Sequence, residues 1–183
     1  MSAARARVDA ATENITGAAS DAFRKVRVRG RLSVAGITMT RSRDTAQGAL
    51  HRTGRDLDLA IAGGGAFTLR DASGRLVHTR NGAFERDRFG HVTDGQGRVL
   101  LGEHGPITLA PDAKIDALFL AQIPLPIGSR VRSGFLESSN VDAIGEMVDL
   151  IAAQRSFETA SKVLTAIDGT REKETSQVGL VRS

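Results

Sequence analysis

Ser139-Asn140-Val141-Asp142, followed by residues 143–167, AIGEMVDLIAAQRSFETASKVLTAI, is the stretch on which the fold turns. Its apolar residues recur at helical spacing. Val141, Ile144, Met147, Val148, Ile151 and Ala152 make one stripe, and Phe157, Ala160, Val163, Leu164 and Ile167 continue it with a small phase shift. The run holds no Pro, and the pattern extends past Arg171. Ser-Asn-Val-Asp before an apolar run is a helix-start signal. Asn140 is placed to cap the helix, and Asp142 and Glu146 lie where the helix dipole favours negative charge. A long helix with one apolar stripe requires something to pack against.

Upstream lies a first, weaker helical pattern. Ala4, Val8, Ala11 and Ile15 form a narrow stripe, which Gly17 and the small polar residues to Asp21 bring to an end. A helix this short is marginal alone. From Arg24 to Asp44 the pattern becomes alternation: Val26 and Val28, then Leu32, Val34, Ile37 and Met39 between Arg, Ser, Gly and Thr. That predicts an extended arm with strand-like pieces.

The middle is punctuated by turns. Asp71-Ala72-Ser73-Gly74, Asn81-Gly82, Asp87-Arg88-Phe89-Gly90 and Asp94-Gly95-Gln96-Gly97 separate short alternating pieces. Gly and Asn tolerate the positive φ of tight turns, so these pieces predict a small antiparallel β domain. Leu118 to Ile127 is apolar but carries Pro124 and Pro126, which exclude it from a central strand and predict a linker or edge segment. The fold class is therefore α+β: N- and C-terminal helices paired as a coiled coil, flanking a small antiparallel β domain. The expected division is an N-terminal helix and basic arm over 1–43, a central β domain over 44–136, and over 137–183 a long helix packing with the first.

Composition removes several functions. The 183 residues contain no Cys, which excludes disulfides, thiolate metal sites and Cys nucleophiles. Aromatics are 4%, with no Trp or Tyr, so a large aromatic core is not expected. The four His, at 51, 78, 91 and 104, show no metal-ligand spacing and read as surface or hairpin residues. Ala62-Gly63-Gly64-Gly65-Ala66 lacks the Lys-Ser/Thr of a phosphate loop and reads as a turn into Phe67. The Asp56 and Asp58 carboxylates have no supporting catalytic groups. No nucleophile, base and orienter occur together, so an enzyme, and a cell-wall hydrolase in particular, is not expected. No cofactor or metal is expected either. No apolar run is long enough to span a bilayer, and 1–14 lacks the apolar core of a cleavable signal.

The net charge of +4 is uneven. Residues 1–43 hold nine Lys or Arg against three Asp or Glu, and most of that excess lies in Arg24-Lys25-Val26-Arg27-Val28-Arg29-Gly30-Arg31. Such a run reads as a solvated arm or a polar subunit contact. The alternative function is a basic nucleic-acid-binding module using Arg24 to Arg31, which the absence of Trp and Tyr disfavours.

Two segments carry a resemblance. Gly134 to Asp142, with Leu136, Glu137, Ser139, Asn140, Val141 and Asp142, leads into Glu146-Met147-Val148, Leu150-Ile151 and Ala153-Gln154-Arg155-Ser156-Phe157-Glu158. This resembles the C-terminal signature of flagellar rod and hook proteins over about 25 residues. Gln47-Gly48, Thr53-Gly54, Leu57-Asp58-Leu59-Ala60-Ile61, Gly63, Gly65 and Phe67, then Thr79-Arg80-Asn81-Gly82-Ala83-Phe84, resemble that family's central motifs. Val8-Asp9, Asn14-Ile15 and Phe23-Arg24 match its first helix more loosely. Glu13 stands where the family has one of two paired Asn, Gly17 replaces a later Asn, Ala22 replaces the Gly before Phe23, and Ala66 replaces a Phe.

The resemblance implies a rod protein of the proximal or distal rod type, short and with a diverged N-terminus. It implies polymerisation through the terminal helices into the drive shaft of flagellar motility. The implied partners are copies of itself, other rod and hook subunits and the type III export apparatus, with no nucleic acid and no membrane insertion. The implied place is the periplasmic rod of the basal body, reached without a cleaved signal. Leu57, Asp58, Thr79, Arg80, Asn81 and Gly82 are its central motif residues here, and the family has a longer β region before Gly134.

Overall fold

The computed structural model describes residues 2–33, 36–110, 113 and 115–180. In chain order its elements are α1 (Ser2–Gly17), β1 (Val26–Ser33), β2 (Gly36–Arg43), β3 (Leu50–Arg52), β4 (Leu59–Ala62), β5 (Phe67–Arg70) and β6 (Leu76–Thr79). There follow β7 (Phe84–Arg86), β8 (Val92–Asp94), β9 (Val99–Gly102), β10 (Gly105–Pro106), α2 (Ala117–Ala121), β11 (Arg130–Ser133), β12 (Phe135–Glu137) and α3 (Ala143–Leu180). The fold is a mixture of helix and antiparallel sheet with a helix near each end, as the sequence pattern predicts. Contacts divide it into two units.

The β unit comprises Thr16–Lys25 and Asp44–Val141. Its main sheet runs β6-β5-β9-β8-β7, with β10 paired to β9. Two further antiparallel pairs, β4 with β11 and β3 with β12, join the middle of the chain to the start of the C-terminal signature. The turns between strands share one chemistry. In Asp71-x-x-Gly74-Arg75, Asp87-x-x-Gly90-His91 and Asp94-x-x-Gly97-Arg98, the Asp Oδ1 accepts from the backbone N–H groups two and four residues on. The Asp Oδ2 meets the side chain of that fifth residue: Arg75 Nε at 3.2 Å, His91 Nδ1 at 3.1 Å, Arg98 Nε at 2.7 Å. Each Gly has φ of 74 to 85°, the left-handed conformation that closes the turn.

Alternation along β5 buries Phe67 and Leu69 and turns Thr68 and Arg70 outward. Phe67 meets Phe84 edge to face, with centroids 5.1 Å apart. Leu59, Ile61, Leu69, Val92, Leu100 and Ile107 complete the fully buried centre. The segment expected to be a linker is part of this core. Asp116 caps α2 by accepting from Phe119 N at 2.8 Å, and Phe119 and Ile123, one helical turn apart, are buried in the cluster. The prolines at 124 and 126 do keep the segment out of a strand, but a short capped helix and the residues just after it bury Phe119 and Ile123 instead.

The second unit comprises Met1–Ile15, Val26–Arg43 and Asp142–Ser183. The predicted extended arm is a hairpin: β1 and β2 pair from Val26↔Arg43 to Ser33↔Gly36. Val34, one of its alternating residues, lies outside the described residues. The register sets exposed Arg27, Arg29 and Arg31 opposite Ser42, Thr40 and Thr38 on one ribbon face. The 38-residue α3 is capped by Asp142 rather than by Asn140. Asp142 Oδ1 accepts from Ile144 N at 3.2 Å, and its backbone O accepts from Glu146 N at 3.0 Å. Gly145 makes room for that cap, since a Cβ there would sit 2.7 Å from Asp142 Oδ2. No helix among the described residues is long and apolar enough to cross a membrane.

Candidate functional site

The motif residues of the β unit converge on one buried carboxylate. Glu137, at the end of β12, is 1% exposed. A charge taken out of water needs paired charges and hydrogen bonds to be tolerated. Arg80 Nη1 lies 3.2 Å from Glu137 Oε2, Arg24 Nη2 lies 3.5 Å from Oε1, and Gly48 N donates to Oε1 at 3.1 Å. Arg80 spans the knot, donating from Nη1 to Ile61 O at 3.0 Å and from Nη2 to Gly63 O. Gln47 holds the same two residues, donating to Ile61 O at 2.6 Å and accepting from Gly63 N at 3.2 Å. Burial pulls the Arg80 guanidinium down from its ordinary pKa, and the Glu137 charge opposes that while Arg24 adds to it. Arg stays charged regardless.

Asn140 closes the other side. Its Oδ1 accepts from Lys25 N at 2.7 Å and its Nδ2 donates to Ala46 O at 2.8 Å, so the amide is committed here and not to the helix start. Backbone bonds from Ala22 N to Glu137 O (2.7 Å) and Asn140 N to Phe23 O (3.2 Å) run alongside. Two motif glycines are demanded by close approach. A Cβ on Gly82 would lie 1.6 Å from Leu59 O, and one on Gly48 would lie 1.9 Å from Ser138 O. Leu57 packs on the core, buried Asp58 accepts at its backbone O from Gly134 N and Phe135 N, and Leu136 is buried. Thr79 Oγ1 accepts from Asn81 N, Asn81 Oδ1 from Ala83 N, and Ser139 Oγ from Val141 N. These positions are internal fastenings.

A smaller fastening lies in the helical unit. Asn14, 1% exposed, donates from Nδ2 to both Val26 O and Glu146 Oε2 at 2.9 Å, and accepts at Oδ1 from Val26 N at 2.7 Å. Glu146 is therefore a buried tie in addition to being a residue near a helix start. Arg24, Gln47, Gly48 and Asn14 were not singled out as site residues by sequence reasoning. Each of these four lies inside a motif segment, but the groups they bond lie elsewhere in the chain, so no local pattern singled them out.

The rest of α3 is different in kind. Ile144 is 76% exposed, Met147 50%, Val148 61% and Ile151 52%. Phe157, Ala160 and Ile167 are also exposed, Val141 is half-buried, and the side chain of Leu164 lies outside the described residues. Gln154 and Arg155 face solvent too. Arg24 is turned into the knot, which removes it from the basic arm and leaves Arg27, Arg29 and Arg31 on the ribbon. Among the described residues no group of His, Asp and Glu is placed to hold a metal ion. The arrangement can fasten segments and present surface.

Residues 132–178 match the family described as flagellar basal body rod FlgEFG protein C-terminal, and residues 60–125 match the flagellar hook protein FlgE/F/G D1 domain. The flagellar basal-body rod protein FlgF of Escherichia coli K12 is 31% identical over 202 aligned positions, covering 81% of this chain and 80% of that protein. This chain belongs to the flagellar basal-body rod protein family. Similarity extends to the flagellar basal-body rod protein FlgG of Agrobacterium fabrum, 29% identical over 67% of this chain and 64% of that protein. The FlgG of Bacillus subtilis is 30% identical over 66% and 64%. The family is structural, not enzymatic, and the chain's role is that of a rod subunit in the basal body of the flagellum. Membership implies assembly with other rod and hook subunits.

The departures from the family motifs have local reasons. Glu13, in place of an Asn, forms an ion pair with Arg41 of β2. Gly17 lies under the Phe23 ring, which would be 2.4 Å from any Cβ. Ala22, in place of Gly, keeps a positive φ of 54°, the only such non-glycine among the described residues. Nothing in the structure explains Ala66.

Proposed function

We propose that this chain polymerises into the rod through its terminal helices, with α1 and α3 pairing as a coiled coil in the assembled shaft. The observation that carries this reading is the row of exposed apolar side chains from Ile144 to Ile151 on one helix. An apolar surface of that length on a water-soluble segment marks an interface. The subunit-packing residues are Val141, Ile144, Met147, Val148, Ile151, Phe157, Ala160, Leu164 and Ile167. In this reading residues 1–43 supply the N-terminal helix and basic arm, 44–136 the central β domain and 137–183 the long C-terminal helix that packs with the first. The subunit leaves the cytoplasm through the flagellar type III apparatus without a cleaved signal and works in the periplasmic rod. There it forms part of the drive shaft.

Ile151→Asp tests the reading, because a buried unpaired carboxylate at a helix interface is strongly unfavourable. Purified hook–basal bodies from cells carrying the variant should lack the protein, and the cells should not swim. Wild-type levels of the variant in basal bodies, with normal motility, would sink the proposal.

A further inference from the structure

The chain contains three Asn, and only one of them precedes Gly. Asn14 is followed by Ile and Asn140 by Val, whose branched Cβ crowds the peptide nitrogen beside the amide. Asn81 is followed by Gly82, which leaves that nitrogen open. The chemistry this permits is intramolecular. The Gly82 nitrogen adds to Asn81 Cγ, the Cγ–Nδ2 bond breaks, and the displaced nitrogen leaves as ammonia carrying the Gly82 proton. A five-membered succinimide remains. Water then opens one of its two carbonyl–nitrogen bonds, giving an aspartate or an isoaspartate, in which the main chain runs through the former side chain. Asn81 is exposed, so water reaches the site.

The folded chain opposes the first step. Asn81 Oδ1 accepts from Ala83 N at 3.0 Å, and Asn81 N donates to Thr79 Oγ1 at 3.0 Å. Gly82 O accepts from Leu59 N at 2.9 Å, and Ala83 bridges to Asp58. A Cβ on Gly82 would stand 1.6 Å from Leu59 O and 3.2 Å from the Phe67 ring, so this backbone has no room to shift. Ring closure requires the amide to leave Ala83 N and the 81–82 peptide to turn, which breaks the bonds on both sides of it. Reaction therefore waits for the turn to open. The two products differ on reclosing. An aspartate keeps an oxygen that accepts from Ala83 N as before. An isoaspartate adds a methylene to the main chain next to Gly82, where the packing leaves no space for it. We propose that Asn81 is a self-modification site gated by the β unit. The closed turn preserves the amide, and opening converts some chains to an isoaspartate form that does not regain the native fit. The modification marks a subunit whose β unit has been open.

The test incubates the full chain in mildly alkaline buffer, either folded or held unfolded in urea, and follows position 81 by peptide mass spectrometry. Loss of the amide should be at least about tenfold slower in the folded chain, which corresponds to an opening free energy of about 1.4 kcal/mol. Thr79→Val removes the acceptor of Asn81 N and touches no core ring, so it should speed the folded-state reaction several-fold and leave the rate in urea unchanged. After dilution from urea, the isoaspartate form should collect in the fraction that fails to refold, separated by size exclusion, while the aspartate form refolds. Equal rates in folded and unfolded chain, an amide that survives in urea, or isoaspartate as abundant in the refolded fraction as in the other would each overturn the proposal.

Discussion

The β unit and α3 carry fixed motif residues of the same family, yet they use them in opposite ways. In the β unit motif residues are spent internally: Glu137 on Arg80 and Arg24, Asn140 on Lys25 and Ala46, Gly82 and Gly48 on close backbone approach. Along α3 the apolar Ile144, Met147, Val148 and Ile151 stay exposed, and the first turn is tied through Asp142 and Glu146. Residues fixed by a packed core explain themselves within one chain. Residues fixed on an exposed helix are explained by what the helix meets in the assembly. The boundary between the two kinds runs through the signature itself, at Val141 and Asp142.

The contrast breaks most visibly in the core. Phe67→Ala removes a fully buried ring and its edge-to-face contact with Phe84, and should lower the stability of the β unit by about 3–5 kcal/mol, read by urea unfolding. A loss comparable to that of a surface change would mean that the β unit is not the packed partner of the comparison. Next comes the knot. Glu137→Ala leaves Arg80, itself mostly buried, without its carboxylate and should cost about 3 kcal/mol. Removing the opposing charge as well, in Glu137→Ala with Arg80→Met, should recover part of that loss. If the single and double variants unfold alike, the pairing is not what holds Glu137.

A change of opposite sign sharpens the same region. Ala22 holds a left-handed conformation, while its N–H donates to Glu137 O. Ala22→Gly should raise stability by roughly 1 kcal/mol, because Gly takes that conformation without the Cβ conflict. A neutral or negative result would show that the turn relaxes around Ala22.

The three turns supply a milder, pH-dependent effect. Bonding to Ser73 is the main reason Asp71 sits below the ordinary carboxylate range. At Asp87 and Asp94 desolvation raises the pKa, but bonds from His91 and Phe89, and from Arg98 and Gln96, outweigh it and hold both low. A carboxyl with a depressed folded-state pKa stabilises fully above its unfolded value of about 3.9, and that contribution is lost as pH falls through the folded value. Unfolding midpoints should therefore drop below about pH 4, and Asp94→Asn should show a shallower drop. An equal acid slope in the variant would detach Asp94 from the effect.

How far these features could be read from the sequence depended on how local their causes were. The Asp-x-x-Gly turns were legible because donor and acceptor lie within five residues, and the α3 stripe was legible as a period. The Glu137 knot was not, since Phe-Leu-Glu at a strand end is equally consistent with a solvated carboxylate. Its cations lie far off in the chain at Arg80 and Arg24. The sequence placed Asn140 at the cap of α3 and Asp142 among its dipole-favoured acids, and only the distant bonds to Lys25 and Ala46 show that Asn140 is spent elsewhere. Residues 118–127 misled because the prolines were informative about strands and silent about a short helix capped by Asp116.

The smallest expected effect is the one that separates the two regions most cleanly. Ile151 is half exposed, so Ile151→Asp removes little burial from the isolated subunit and should change its unfolding free energy by no more than about 0.5 kcal/mol. The same substitution should abolish incorporation into the rod. A core position behaves the other way round, because its loss appears in the monomer first and affects assembly only through unfolding. If Ile151→Asp destabilises the monomer as much as Glu137→Ala does, the stripe is already buried within the free chain. The division between internal fastening and assembly surface would then have to be drawn further along α3.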